Sequence, residues 1–259
     1  MNDQPSVKKI PVMEVFGPTV QGEGAVIGLQ TYFIRFGLCD YKCKMCDSMH
    51  AVDPEKVSRN ASWWTQTQIA EEFLKYRKAQ GEHTTNWVTF SGGNPCIHDL
   101  RELVGELLRQ GINIQVETQG TFVPDWLFGC SHVVVSPKGP GMGERYDQEK
   151  LDFFMDSGPK IRMSMKVVIF DERDLEFASL LYERYVLVRK DLRESQFFLS
   201  LGNPMPPGKD QNVSRSHLRT LLMDRYDHLL RDVMRHQYLC NVKFLPQMHV
   251  LVWGNKQGV

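Results

Sequence analysis

Apolar and polar residues along the chain alternate between two periods. Compact apolar runs at 12–16, 31–36, 87–90, 112–117, 132–136, 164–170 and 196–201 read as strands. Between them, apolar residues recur at i, i+3 and i+4, the spacing of one helix face. Ile69, Phe73 and Tyr76 predict a helix over 65–79, opened by a capping box of Thr65 and Gln68. Leu100, Leu103, Val104, Leu107 and Leu108 form one stripe over 99–110, with Asp99 placed to cap the helix and Gly111 to end it. Further helices are predicted at 148–155, 171–185 and 214–236, the last striped by Leu218, Leu221, Leu222, Tyr226, Leu229, Leu230, Val233 and Met234. Residues 51–64 read as irregular and 203–213 as a loop with three prolines. A last strand near 241–245 precedes a tail at 246–259.

Strands that alternate with helices predict a parallel sheet with helical crossovers. Polar or glycine-rich turns recur at the predicted strand ends, at 39–48, 91–95, 117–120, 136–138 and 200–203. In parallel α/β proteins ligands bind beyond the carboxyl ends of the strands, so these turns should share one rim. The units are too few for a closed eight-stranded barrel. The expected fold class is therefore α/β, a partial, open parallel βα barrel of about six strands. It should form one domain over 1–259, with the tail 246–259 closing the active site.

Composition narrows the function. Lys+Arg and Asp+Glu both number 31 in 259 residues, so no overall basic field points to nucleic acid. No run approaches the ~18 apolar residues of a membrane span, and residues 1–9 lack an apolar signal core. The expectation is a cytoplasmic protein with neither nucleic acid nor membrane as partner.

Six cysteines could mean disulfides, but Cys39, Cys43 and Cys46 are clustered while Cys96, Cys130 and Cys240 are scattered. A cluster without secretory context reads as metal-binding or catalytic, and the scattered thiols as core residues. C-x3-C-x2-C at the end of a strand suits iron and sulfide, and three protein thiolates leave one iron of a [4Fe–4S] cluster open. A zinc site would need a fourth ligand, with His50, His83 or Cys96 as candidates. Gln21-Gly22-Glu23-Gly24 is either a surface turn or a place where backbone approaches a ligand closely. Arg35 is either a surface ion-pair partner or a fork for a carboxylate or phosphate.

The cysteine spacing resembles that of the radical S-adenosylmethionine superfamily, with Met45 where an aromatic or large apolar residue commonly precedes the third cysteine. Ser91-Gly92-Gly93-Asn94-Pro95 resembles its GGE-type turn, with Asn94 in place of the usual glutamate. Several further stretches are Gly17 to Gly24, Arg35-Phe36-Gly37, Cys46-Asp47-Ser48, Glu117-Thr118-Gln119-Gly120 and Ser136-Pro137-Lys138. With the tail Leu245 to His249 and Trp253 to Val259, their order and spacing resemble the 7-carboxy-7-deazaguanine synthase family over nearly the whole chain.

That resemblance implies a lyase of deazapurine (queuosine-type) biosynthesis. It would convert 6-carboxy-5,6,7,8-tetrahydropterin to 7-carboxy-7-deazaguanine with loss of ammonia. The 5′-deoxyadenosyl radical would take hydrogen from the carbon bearing the carboxylate and later return it, so that S-adenosylmethionine is re-formed. Carried over residue by residue, Cys39, Cys43 and Cys46 bind the cluster. The cofactor site takes Met45, Cys46, Asp47, Gly93, Glu117, Ser136, Pro137, Lys138, Lys166, Ser200, Leu201, Gly202 and Asn203. The substrate site takes Val20, Gln21, Gly22, Glu23, Arg35, Ser91 and the terminal carboxylate of Val259. Arg35 would bind the substrate carboxylate and Glu23 the pterin's N–H edge. Ser48 stands where many relatives have a threonine that helps hold magnesium, and its hydroxyl keeps an oxygen ligand for that cation.

The implied partners are an electron donor such as flavodoxin or ferredoxin and a second copy in a homodimer. His98, His132 and His217 read as structural or exposed, whereas His249 lies in the family-like tail. Two rival functions are a radical activase of a glycyl-radical partner and a zinc-stabilised interaction module.

Overall fold

The computed structural model describes residues 8–144, 146–159, 162–207 and 213–259. Residues 1–7 of the N-terminal segment and 208–212 of the proline-containing loop lie outside them. One nine-stranded sheet organises the chain. Its strands are β1 (Ile10–Val20), β2 (Gln30–Phe36), β3 (Ser62–Trp64), β4 (Trp87–Gly92), β5 (Asn113–Thr118), β6 (His132–Val135), β7 (Met163–Ile169), β8 (Phe197–Leu201) and β9 (Lys243–Leu245). The order is β3-β1-β2-β4-β5-β6-β7-β8-β9. From β2 to β9 every neighbouring pair is parallel, while β1 pairs antiparallel with both β2 and β3. β3 and β9 are the two edges, so the barrel is open as expected.

The helices are α1 (Met49–Val52), α2 (Pro54–Asn60), α3 (Gln66–Ala79), α4 (Arg101–Arg109), α5 (Gln148–Ser157), α6 (Glu172–Tyr182), α7 (Arg215–Arg235) and α8 (Met248–Trp253). The predicted capping box opens α3: Thr65 Oγ1 accepts from Gln68 N at 3.2 Å, and Gln68 Oε1 accepts from Thr65 N at 2.9 Å.

Strand periodicity divides the side chains between two environments. Tyr32, Ile34 and Phe36 of β2, Val88 and Phe90 of β4, and Ile114 and Val116 of β5 join the core shared with the helices, all 0% exposed. Tyr32 meets Phe73 of α3 edge to face, and Phe36 meets Phe90 in the same way. Burial of each such side chain contributes about 1.5–3 kcal/mol. The alternate residues turn into the barrel, among them Arg35, Ser91, Glu117 and Lys166. Polar residues in strands buried on both sides thus mark the inner face.

Several boundaries differ from the sequence-based expectation. The parallel part of the sheet has seven strands, β2 and β4 to β9, instead of about six. β1 extends through Gly17-Pro18 to Val20, where a turn-rich loop was expected after Phe16. The glycine and proline sit at a register shift between Phe16 and Thr19, a bulge that lets the strand continue. Residues 51–64 are not irregular: they hold the second half of α1, all of α2, and β3. Asp53 caps α2 by accepting from Glu55 N and Lys56 N, and Pro54 occupies its first turn. These pieces are too short to show a period. Leu100 holds the cap position of α4, and Asp99, one residue before it, accepts from Arg101 N at 3.3 Å as well as from the Arg101 guanidinium. The helix expected at 171–185 ends at Tyr182 and runs on as a π-helical turn, Glu183–Val188. The tail contains α8, again too short for its apolar run to reveal a helix.

Candidate active site

The carboxyl-end rim of the barrel surrounds one cavity. Cys39, Cys43 and Cys46 line it from the loop after β2. That loop is held by the glycine turn after β4. Gly93 N donates to Phe36 O at 3.0 Å and Asn94 N to Leu38 O at 2.9 Å. A Cβ on Gly93 would lie 1.7 Å from the Leu38 carbonyl oxygen, and one on Gly92 (φ +125°) 2.1 Å from that of Phe36. Both positions require glycine because two backbones meet there. A second loop supports the first: Lys44 N donates to Met142 O at 2.7 Å.

Burial raises all three thiols, Cys43 to about 11 and Cys46 to about 12. The Lys138 charge opposes this at each of them. Cys39 Sγ also accepts from Tyr41 N at 3.4 Å and from Gln119 Nε2 at 3.6 Å. Among the described residues, no three His, Cys, Asp or Glu side chains gather closely enough to hold one metal ion. A cluster of several irons takes its thiolates at separate corners. Three thiols on one cavity, with N–H donors and a lysine charge near sulfur, fit such a group.

The polar groups opposite are prepared as a network. Glu23, after β1, is buried, and its Oε2 lies 2.5 Å from Nζ of Lys166 on β7. Its Oε1 accepts from Ser200 Oγ at 3.0 Å and Gln247 Nε2 at 2.8 Å. Burial alone would raise the Glu23 carboxyl, but the Lys166 and His249 charges and the hydrogen bonds from Lys166 and Gln247 together outweigh it and hold the group at about 2. Lys166 in turn stays above the ordinary lysine range, because the Glu23 and Glu117 charges outweigh its burial. Glu117 accepts from Gln21 Nε2 at 3.1 Å and Ser91 Oγ at 2.8 Å. Arg35 gives its Nε to Glu14 and its Nη1 to Ser48 Oγ at 3.0 Å. Ser48 Oγ in turn donates to Asp47 Oδ1 at 3.0 Å. Phe16 and Phe33 stack at 5.0 Å with an interplanar angle of 4°, forming an apolar wall beside Arg35.

The tail lies across this cavity. Met248 N donates to Gly22 O at 3.0 Å, and Gln247 reaches Glu23. Asn255 accepts from Asn203 Nδ2 at 2.8 Å and donates to Met205 O at 2.7 Å. Arg219 of α7 donates to Leu251 O at 2.9 Å. Val259 itself lines the cavity.

The cavity therefore gathers most of the residues singled out from sequence. They are the three cysteines, Met45, Asp47, Ser48, Gly93, Glu117, Ser136, Lys138, Lys166 and Asn203, with Val20, Gln21, Gly22, Glu23, Arg35, Ser91 and Val259. Pro137, Ser200, Leu201 and Gly202 are buried beside it and do not line it. Leu201 turns its side chain into the helix-facing core, and Ser200 acts on Glu23. Sequence reasoning passed over Gln119, Gln247, Asn94's contacts and the Phe16–Phe33 wall. Gln119 and Gln247 lay inside stretches that carried the resemblance, and Phe33 shares the strand face of Arg35.

The chain is 37% identical over 254 residues to the 7-carboxy-7-deazaguanine synthase of Bacillus cereus, spanning 98% of this chain and 100% of that protein. It is 37% identical over 257 residues to that of Bacillus subtilis, spanning 97% and 99%. The chain belongs to the 7-carboxy-7-deazaguanine synthase family. The crystal structure of QueE from Escherichia coli superposes with a TM-score of 0.60 at 23% identity, covering 93% of this chain and 95% of that one, and so shares the fold. No family model matches the chain. Membership of the 7-carboxy-7-deazaguanine synthase family, at this identity and coverage, favours the ring-contracting reading over the glycyl-radical activase and the zinc-stabilised module. Among the described residues no helix is long and apolar enough to cross a membrane.

Proposed function

We propose that this chain converts 6-carboxy-5,6,7,8-tetrahydropterin to 7-carboxy-7-deazaguanine with release of ammonia, as a radical S-adenosylmethionine lyase. One observation carries the reading: three thiols and the polar groups of Gln21, Glu23, Arg35 and Glu117 line a single cavity. Cys39, Cys43 and Cys46 would hold a [4Fe–4S] cluster. When bound, the cluster supplies the electron that cleaves the sulfonium of S-adenosylmethionine. Gly93, Ser136, Lys138 and Asn203 are assigned to that cofactor's side of the cavity, with Ser200 to Gly202 behind them.

The chain's own residues bind and orient. Glu23 is kept ionised by Lys166, so it accepts hydrogen bonds and suits the N–H edge of a pterin. Arg35 is anchored by Glu14 through Nε and by Ser48 through Nη1, and it lines the cavity as a carboxylate fork would. The Phe16–Phe33 wall excludes water beside it. Arg35→Ala should therefore weaken pterin turnover strongly and leave cleavage of S-adenosylmethionine intact.

Finer points belong to the same proposal. The Ser48 hydroxyl uses one lone pair for Arg35 and its proton for Asp47, which leaves a second lone pair. With the Asp47 carboxylate beside it, this is an oxygen donor set that fits magnesium. A flavodoxin- or ferredoxin-type reductant, a homodimer and a cytoplasmic location complete the reading. The test is anaerobic incubation of the iron-loaded protein with the carboxypterin, S-adenosylmethionine and a reductant. Mass analysis should show the deazapurine, and its absence from iron-loaded protein would sink the proposal.

A further inference from the structure

The loop after β5 carries a side chain that the proposed reaction has not yet used. Gln119 is 6% exposed and points at the cysteine loop. Its amide nitrogen donates to Asp40 Oδ1 and to Cys39 Sγ, the latter at 3.6 Å. A primary amide has two N–H donors, and these two contacts use both.

The orientation of that amide is not free. A flipped amide would turn its oxygen toward a thiolate and a carboxylate, both acceptors. Asp40 Oδ1 already accepts from Asn94, so it selects the flip that puts N–H on itself and on the sulfur. Asp40 is itself held from the neighbouring strand end, where Asn94 Nδ2 donates to the same Oδ1 at 2.8 Å. Asn94 is fully buried, and its amide is committed on both sides. Its Oδ1 accepts from Thr118 Oγ1 at 2.9 Å and Cys96 N at 3.2 Å, and its Nδ2 also reaches Thr121 Oγ1 at 3.3 Å. A chain of hydrogen bonds thus runs from Asn94 through Asp40 to Gln119 and ends on the Cys39 sulfur.

The geometry points to Gln119 as a positioning residue that tunes the reduction potential of the iron–sulfur site through Cys39, with Asp40 and Asn94 fixing its amide. Reduction adds negative charge that spreads onto the ligand sulfurs. An N–H aimed at sulfur therefore stabilises the reduced form more than the oxidised one and raises the potential. The asparagine that replaces a glutamate in the glycine turn gains a reason here, because a second carboxylate could not donate to Asp40.

This inference rests on the reading of the three thiols as iron–sulfur ligands. The test is anaerobic reconstitution of the full-length parent, Gln119→Met and Gln119→Leu, followed by redox titration monitored by visible absorbance and electron paramagnetic resonance. Both variants should bind as much iron as the parent and show a lower midpoint potential. Midpoints equal to the parent's, at equal iron content, overturn the inference and leave the function standing. Loss of iron from both variants also overturns it, because the side chain would then hold the cradle and not tune it. A parent that takes up no iron overturns the iron–sulfur reading together with the inference.

Discussion

Oε2 of Glu23 lies 2.5 Å from Nζ of Lys166, joining the end of β1 to β7 inside the barrel, and neither residue is more than 9% exposed. Removing one partner of a buried pair strands the other charge, at a cost of about 3–5 kcal/mol. Lys166→Met should therefore lower the unfolding free energy by about that much in urea titration at neutral pH. The sign of the pH effect follows from the shift. The Glu23 carboxyl is depressed from 4.5 to about 2, so its contribution is present above pH 4.5 and is lost as the pH falls toward 2. In Lys166→Met this acid-side loss of stability should largely vanish, which unfolding curves measured across that range would show.

The tail makes a second prediction. A Cβ on Gly22 would sit 2.2 Å from His249 Nδ1 and 2.9 Å from the His249 backbone nitrogen. The imidazole can swing away, but the backbone at the start of α8 cannot do so without leaving Gly22 O and Glu23. Overpacking of this kind costs about 1–3 kcal/mol. Gly22→Ala should raise the KM for the pterin by roughly tenfold and speed amide hydrogen exchange over 248–259. The fold itself should keep its melting temperature within a few degrees. An unchanged KM with unchanged exchange would mean that the tail does not depend on this contact.

Much of this arrangement was legible in the chain, and the gaps have physical causes. The five turns fell on one rim because parallel strands put their ends together, whereas Arg35 reads from sequence as either a surface ion-pair partner or a ligand fork, and Glu117 enters the site only through the family resemblance. The Thr65–Gln68 capping box is local chemistry and was visible for that reason. What stayed hidden is tertiary. Gly17-Pro18 reads locally as a turn, and only pairing with β2 makes it a bulge. The six residues of α8 have no room to display a period. The partnership of Glu23 with Lys166, or of Asn94 with Asp40, joins side chains far apart in sequence, and no spacing announces it.

Asp174 gives a third prediction. Its carboxylate is fully buried and accepts from Gly141 N at 2.8 Å on one oxygen and Phe170 N at 2.9 Å on the other. It thereby fixes the loop whose Met142 carbonyl supports Lys44 in the cysteine loop. Asn at 174 keeps one acceptor and turns an N–H toward a backbone N–H, a buried mismatch worth about 1–3 kcal/mol. Asp174→Asn should lower the melting temperature and retain less iron after reconstitution. Burial raises the Asp174 carboxyl above its ordinary 3.8 despite those two donors. The folded state thus holds its proton more tightly than the unfolded chain, and this group's contribution should shrink as the pH rises through the raised value.

The central claim is that this chain converts the carboxypterin to the deazapurine, for which the family resemblance implies that S-adenosylmethionine is re-formed after each turnover. The most direct test is the ratio of 7-carboxy-7-deazaguanine formed to S-adenosylmethionine consumed, measured over many turnovers under anaerobic conditions. The account predicts product in large excess over S-adenosylmethionine lost. One 5′-deoxyadenosine accumulating for every event, with no deazapurine, would contradict it.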